Sequence, residues 1–362
     1  MRRVALLLFL AGCGRSELVD LDVVSEAPTE LEVVLEGGVN ELGVGGAFDV
    51  GPRGLVARYI AAEGVRFVQL GRSEIGWAVE REHFADTGNG GPLAWGGRTV
   101  ASGAPGGASS PEVLTFDDFS APDVILTAAP ASPQFGRALA FSGDRLAVGD
   151  PGLDVGRVHI YARSSAGWNR LHTIEDEAQS FGSALDWSST TLVVGAPSER
   201  TVVLFDEGFE TIARVEGPST AGGFGTSVAF DGRTLVVGAP SDGGLSGEGA
   251  VYTYAVGADV RAEQVLRREG GQMFAAFGYR VSLLDGRLVA SAPGAANDAG
   301  EVLVFEHAES WRVTHSLASP HTGARLGAQI DQDADGIYVG APRVSDAATL
   351  AGVLYFVRMS PL

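Results

Sequence analysis

The sequence predicts an all-β fold, a seven-bladed β-propeller of four-stranded antiparallel blades, closed by an N-terminal strand that pairs with the C-terminal blade. Three observations predict this fold. A short motif recurs at a nearly constant period along the 362 residues. Asp-Gly type turns separate apolar runs inside the copies, which is the best short signal for a β-hairpin. The 51 glycines suit an all-β chain with many turns better than a helical one.

The repeated motif is a Phe-Gly pair that precedes a Gly-Ala-Pro by fourteen residues, as in FGTSVAFDGRTLVVGAP from Phe224 to Pro240. The same spacing starts at Phe135, Phe181, Phe277 and Leu326, and two degenerate copies start at Asn89 and Val44. The Gly-Ala-Pro anchors or their equivalents are at 58, 103, 149, 195, 238, 291 and 340, so successive copies are 43 to 53 residues apart. Seven copies at this period predict one four-stranded sheet per repeat.

Each repeat has a pattern that predicts four strands in order. The first two flank a tight turn, as SVAF (227–230) and LVVGAP (235–240) flank Asp231-Gly232. The second strand is apolar on both faces, as expected when each sheet packs between two neighbours. The fourteen-residue spacing is the length of one such hairpin. Glycine is expected where the blades converge and a β-carbon would not fit, and proline is expected to end the second strand. The motif Phe is expected to pack between adjacent blades. The alternating fourth strand is typical of an outer edge with one wetter face.

The two ends of the chain predict how the ring closes. The last repeat stops just after its third strand. The segment LEVVLEGGVNELGVG (31–45) aligns without a gap with TIARVEGPSTAGGFG (211–225), which includes a fourth strand. We therefore expect Leu31–Glu36 to complete the C-terminal blade, so that the propeller domain spans residues 30–362. Closure of this kind removes an exposed sheet edge.

The first thirteen residues, MRRVALLLFLAGC, predict a secretion signal at 1–12, because two arginines precede an apolar run too short to span a bilayer. The segment Leu10-Ala11-Gly12-Cys13 resembles the lipobox of bacterial lipoproteins. This resemblance implies cleavage after Gly12, lipid on Cys13 and a tether over 13–29. It also implies a lipid-anchored protein of the bacterial cell envelope, at the outer membrane and facing the periplasm or the surface. An ordinary cleaved signal with an incidental Cys is the alternative.

The repeats resemble the FG-GAP repeat of integrin α-subunit propellers, and most closely the bacterial version. The copies FGRALAFSGDRLAVGDP (135–151) and FGYRVSLLDGRLVASAP (277–293) carry the likeness, which covers roughly residues 31–358. Such a resemblance implies the fold and leaves the activity open. A net charge of −19 makes nucleic acid a poor partner by electrostatics.

Integrin-type repeats often carry a calcium loop, Asp-x-Asp-x-Asp-Gly, where this chain has a tight turn. Only the last copy keeps three alternate carboxylates, Asp331, Asp333 and Asp335. Calcium takes about six to eight oxygen ligands, and no further acidic residue follows at a useful distance. The sequence therefore favours a solvated acidic hairpin and no cofactor, with a calcium site at these residues as the alternative.

The sequence contains no Gly-x-Ser-x-Gly elbow, His-Glu-x-x-His helix or Lys-containing P-loop, which favours a binding function over an enzyme. By resemblance to integrins, the contact face is built from the loops that join strands two and three and those that join blades. A protein or glycan ligand is expected there, besides the membrane that the lipid reaches. Alternatives are an envelope-assembly scaffold, a calcium-dependent adhesin or a propeller enzyme. The candidate binding residues are Ser241, Asp242, Glu248, Asn297, Asp298, Arg343 and Asp346.

Overall fold

A computed structural model of the chain describes residues 22–23, 31–36, 42–51, 54–61, 64–73, 76–85, 91–105, 111–119, 124–128, 132–152, 154–188, 190–244, 247–270, 272–319, 321–346, 349–350 and 352–359. The predicted signal at 1–12, the lipid attachment at Cys13 and most of the predicted tether at 13–29 lie outside these residues. Within the described part of the chain, no helix is long and apolar enough to cross a membrane.

Seven four-stranded antiparallel sheets follow one another along the chain as the blades of a propeller, which confirms the predicted fold. Two strands precede them, β1 (Asp22–Val23) and β2 (Leu31–Glu36). Blade 1 comprises β3 (Leu42–Gly51), β4 (Gly54–Ala61), β5 (Gly64–Ser73) and β6 (Gly76–Ala85). Blade 2 comprises β7 (Leu93–Trp95), β8 (Thr99–Ala104), β9 (Glu112–Asp117) and β10 (Val124–Thr127). Blade 3 comprises β11 (Ala138–Ser142), β12 (Arg145–Asp150), β13 (Gly156–Ser164) and β14 (Gly167–Asp176).

The remaining blades follow the same order, with short extra strands in their loops. Blade 4 comprises β15 (Ala184–Ser188), β16 (Thr191–Ala196), β17 (Thr201–Phe205) and β18 (Thr211–Glu216). The short strand β19 (Ala221–Gly222) precedes blade 5, which comprises β20 (Ser227–Phe230), β21 (Thr234–Ala239), β23 (Ala250–Val256) and β24 (Val260–Leu266), with β22 (Ser241–Asp242) in its loop. Blade 6 comprises β25 (Val281–Leu284), β26 (Arg287–Ala292), β27 (Glu301–His307) and β28 (Trp311–Ala318), with the single turn α1 (Ala295–Asp298) in its loop. Blade 7 comprises β29 (Gln329–Gln332), β30 (Gly336–Ala341) and β33 (Val353–Arg358), with β31 (Ser345–Asp346) and β32 (Thr349–Leu350) between them.

The ring closes as the sequence predicts. Strand β2 pairs antiparallel with β33, with Leu31 opposite Val357 and Glu36 opposite Val353, and so becomes the fourth strand of blade 7. Val34 and Leu35 are buried on this strand. Strand β1, which falls inside the predicted tether, pairs with the outer edge of blade 6 instead of remaining outside the fold.

The Phe-Gly and Gly-Ala-Pro motifs, or their equivalents, meet at the inner end of the hairpins of blades 3 to 7. The N–H of Gly225 donates to the carbonyl of Gly238 over 3.0 Å, and this bond closes the fourteen-residue unit. A β-carbon on Gly238 would lie 2.0 Å from the carbonyl oxygen of Gly278, which belongs to the next blade. Neighbouring blades therefore touch backbone to backbone at this point, where only glycine fits.

The core lies between the blades. Phe224, at the start of blade 5, is fully buried against Val202 and Leu204 of blade 4. Phe181 and Phe277 are buried in the same way between their own blade and the one before. The predicted wedge role of the motif Phe is therefore confirmed.

Candidate functional site

The predicted binding residues of blade 5 lie on the face formed by the loops between strands two and three and between blades. Ser241 is exposed there, and Glu248 is half-buried. Asp242 is not on the surface: it is 3% exposed and accepts hydrogen bonds from the hydroxyl of Tyr252 and, over 3.2 Å, from Nη2 of Arg267. Asp242 therefore supports the loop from beneath and is not available to a ligand, contrary to the prediction for this residue.

The predicted residues of blade 6 lie next to this loop. Asn297 and Asp298 are exposed and hold left-handed backbone, with φ of 59° and 61°. The N–H of Arg325 donates to the carbonyl of Asp298 over 2.8 Å, and the two side chains approach to 3.9 Å. In blade 7, Arg343 is exposed and its N–H donates to the carbonyl of Ala324. Asp346 pairs through its backbone with Thr349, and its side chain lies outside the described residues.

Backbone hydrogen bonds join these loops into one surface, which we name the blade 5–7 rim: residues 241–244, 247–248, 272–277, 294–299, 324–326 and 343. The N–H of Phe277 donates to the carbonyl of Glu248, and that of Gly294 donates to Ala275. The N–H of Ala296 donates to the side-chain oxygen of Gln272 over 2.8 Å. The candidate binding residues predicted from the sequence lie on three separate loops, and the fold brings these loops side by side.

Two exposed apolar residues of the rim were not predicted from the sequence. Met273 and Phe274 are 62% and 63% exposed, the highest values among the large apolar side chains of the described residues. Phe274 also holds a left-handed backbone, with φ of 63°. A bulky residue in this region is strained by roughly 1–3 kcal/mol, and such strain concentrates at functional sites. In the sequence these residues are an apolar pair between glycines, and such a pair does not indicate whether its side chains are exposed or buried.

The acidic hairpin of blade 7 does not gather its carboxylates at one point. Asp331 accepts the N–H of Val50 over 2.8 Å, in the next blade around the ring. Asp333 instead caps its own turn, accepting the N–H groups of Asp335 and Gly336 over 2.9 Å and the hydroxyl of Tyr338 over 2.7 Å. Among the described residues, no three acidic, His or Cys side chains are placed to hold one metal ion.

The first strands of the seven blades surround a central cavity of about 410 Å³. Three aspartates line it, each five residues after a motif Phe or its equivalent: Asp49 in blade 1, Asp186 in blade 4 and Asp331 in blade 7. Each carboxylate accepts a main-chain N–H of the next blade, from Trp95, Phe230 and Val50 respectively. The first strand of a blade is a sheet edge with unpaired N–H groups, so these aspartates satisfy donors that no strand reaches.

Burial raises the pKa of these carboxyl groups, because the cavity disfavours their charged form. The pKa of Asp186 rises to about 6, with a smaller contribution from the charge of Asp331. Burial likewise raises the pKa of Asp331 to about 6. Asp49 is hydrogen-bonded to Asp331, and burial followed by that charge raises the pKa of Asp49 well above its usual value. Two carboxyl groups in contact cannot both ionise cheaply, so the contact with Asp331 adds to the cost of charging Asp49.

One end of the cavity is cationic. Arg137, directly after Gly136 of blade 3, and Arg280, two residues after Gly278 of blade 6, lie on its lining on the same side as the loop face. Nε of Arg280 donates to the side-chain oxygen of Gln329 over 3.0 Å. Neither guanidinium forms an ion pair with a carboxylate of the described residues.

The buried histidine of blade 3 does not form a nucleophilic triad. His159 lies 3.4 Å from Asp150 through Nε2 and 3.1 Å from Thr173 through Nδ1. Ser132 bonds Asp150 on the far side, so the hydroxyl contacts the carboxylate and not the imidazole that would have to activate it. The cluster packs against Phe135, with ring centroids 5.6 Å apart, as a satisfied core group.

A protein-family model described as the FG-GAP repeat matches residues 218–254, which span the start of blade 5 through β23. The chain carries an FG-GAP repeat. The resemblance stated from the sequence is therefore confirmed, for the repeat and for the seven-bladed propeller it implies. No curated protein matches the chain significantly.

Two solved structures share the propeller fold of this chain at 14% sequence identity. A structure titled "Structure of U3-55K" matches with a TM-score of 0.64 over 91% of this chain and 98% of that one. A putative 6-phosphogluconolactonase from Bacteroides uniformis matches with a TM-score of 0.56 over 74% of this chain and 83% of that one. Likeness at this level of identity concerns the fold alone.

Proposed function

We propose that the FG-GAP propeller is a non-enzymatic binding protein, anchored to the bacterial envelope by lipid on Cys13, and that its blade 5–7 rim holds a protein partner. The observation that carries this proposal is the exposed pair Met273–Phe274, in which Phe274 holds left-handed backbone. Their segment, residues 272–277, is fixed by hydrogen bonds to two neighbouring loops. Exposed aromatic and Met side chains on a rigid surface are characteristic anchors of protein interfaces.

The composition of the rim supports a protein partner. The loops hydrogen-bonded to the segment of this apolar pair carry polar residues, namely Asn297 and Asp298 on one loop and Glu248 on another, with Arg325 beside Asp298. An apolar centre within a polar border is the usual anatomy of such an interface. The non-enzymatic part of the proposal is supported by the geometry around His159, where the hydroxyl, carboxylate and imidazole are not in the order that acyl transfer requires.

Site-specific photocrosslinking in intact cells tests the binding function. A photoreactive residue replaces Phe274 in one variant and Leu171 in the control, since Leu171 is a 54% exposed apolar residue on the outer strand of blade 3. We expect one envelope protein to crosslink at 274 and not at 171. The same adduct from both positions, or none at 274, would contradict a specific rim interface.

The anchor is tested separately by metabolic labelling with radioactive palmitate. The native chain is expected to take up label and to sediment with membranes. The Cys13→Ser variant should lose both properties while its propeller keeps the same melting temperature. Retention of the label in that variant would show that the lipobox resemblance is misleading.

A further inference from the structure

The cationic end of the central cavity has donors that no described group uses. Nε of Arg280 donates to the side-chain oxygen of Gln329, and its two terminal nitrogens donate to no described residue. Burial lowers the pKa of Arg280, Tyr279 partly offsets this effect, and the like charge of Arg137 lowers the pKa further. The guanidinium carbon lies 4.9 Å from the centroid of the Tyr279 ring, which is an uncharged neighbour. Arginine nevertheless stays protonated at physiological pH, so the charge persists. A partly desolvated guanidinium without a counter-charge is costly, and an anion from outside would remove that cost.

The deeper part of the cavity restricts what this anion can be. Asp49, Asp186 and Asp331 lie two residues further along their strands than the level of Arg280 and Gln329. A dianionic phosphate would be repelled by these carboxyl groups more strongly than a single carboxylate, which pairs with a guanidinium as a planar, bidentate acceptor. Hydroxyl groups on the same ligand would find acceptors among the aspartates and Gln332, and a volume of about 410 Å³ lies in the range of small-ligand pockets.

We propose that the channel mouth formed by Arg137, Arg280 and Gln329 binds a carboxylate-bearing sugar, a uronic acid or a uronic-acid end of a glycan, with its hydroxyls directed toward the aspartates. This inference goes beyond the proposed function, because it concerns a different ligand and a different surface from the blade 5–7 rim. The carboxylate pairs with the two guanidiniums, and the ring lies in the cavity below them.

Binding of free sugars to the purified propeller tests this site. The probes are D-glucuronate and D-galacturonate, with D-glucose and D-galactose as neutral counterparts and acetate as a carboxylate without a sugar ring. Trp95 and Trp187 line the cavity, so their fluorescence reports occupancy, and calorimetry gives the affinity. We expect at least one uronate to bind about tenfold or more tightly than both its neutral counterpart and acetate, which corresponds to about 1.4 kcal/mol.

Two variants locate the site. Arg280→Gln and Arg137→Gln should each weaken uronate binding about tenfold, as expected for loss of a charge-assisted bond. Arg261→Gln is the matched control, because that arginine is 79% exposed on the outer strand of blade 5. Arg137 is also exposed, so its variant keeps the test informative even if Arg280→Gln fails to fold.

Three outcomes would overturn the inference: no uronate binds, acetate or the neutral sugar binds equally well, or a folded Arg137→Gln protein keeps native affinity. None of these affects the rim crosslink at residue 274. If no uronate binds but residue 274 crosslinks to a protein, the channel site alone is rejected. If a uronate binds but residue 274 does not crosslink, the protein interface alone is rejected.

Discussion

At the residue scale, the buried carboxylates of this protein are fixed by donors from another strand or another blade. Asp242 looked like a loop carboxylate and is buried beneath the loop, because Tyr252 and Arg267 both bond it. The inter-blade aspartates were missed, although comparison of the position five residues after each motif Phe shows Asp in three repeats and Ala or Ser in the others. Each of these aspartates accepts an edge N–H of the following blade, as Asp186 does from Phe230. This donor cannot be identified from the sequence of a single repeat.

Asp186 provides a pH-dependent test at this scale. Its folded pKa of about 6 exceeds the ordinary value of 3.8, so folding favours the protonated form. The stability that this group contributes is full below its unfolded pKa and is lost as pH rises through about 6. Asp186→Asn is neutral at every pH and can still accept the N–H of Phe230. We therefore expect it to raise the melting temperature by about 2–4 °C at pH 8 and by nothing at pH 4.

Differential scanning calorimetry at both pH values checks this prediction. Asp259→Asn is the control, since that side chain is 77% exposed and should not change the melting temperature at either pH. A variant at 186 that is less stable than the native protein at pH 8 would mean that the charged hydrogen bond to Phe230 outweighs the cost of burial.

At the element scale, the sequence predicted the hairpins and their packing, since glycine, proline and an uninterrupted apolar run each have one local explanation. It did not predict the register shifts between the third and fourth strands, such as the one between Thr253 and Tyr254. Such bulges accompany the twist of the sheet, and the amino-acid sequence gives little indication of where they occur. The short pair β19–β22 was also missed, because two residues carry no periodicity.

The contact between Gly238 and Gly278 gives the prediction for this scale. A β-carbon at 238 would lie 2.0 Å from the Gly278 carbonyl and 2.3 Å from the hydroxyl of Ser227, and the first of these is backbone that cannot rotate away. Gly238→Ala should therefore separate blades 5 and 6 and cost about 2–4 kcal/mol of unfolding free energy in a urea titration. Gly257→Ala, with open space at the β-carbon, should stay within about 0.5 kcal/mol of native. Equal costs for the two would show that the blades can part freely.

At the scale of the whole molecule, the alignment of the N-terminal segment with a fourth strand was sufficient to predict closure, because a count of strands must balance around a ring. The rim and the cavity mouth could not be derived in this way. Their residues come from blades far apart in sequence, such as Arg137 and Arg280, and only the completed circle places them together.

Removal of the closing strand tests the ring as a unit. In the Cys13→Ser background, deletion of residues 31–36 takes away β2 and leaves the edge of β33 unpaired. An open propeller loses the packing of Val34 and Leu35 and exposes a strand edge that can pair with another chain. We expect a clearly lower melting temperature and concentration-dependent association in light scattering. Deletion of residues 14–19, equal in length and upstream, should leave both unchanged. If the 31–36 deletion melts like the native chain as a monomer, seven blades hold together without the closing strand, and closure serves another purpose than stability.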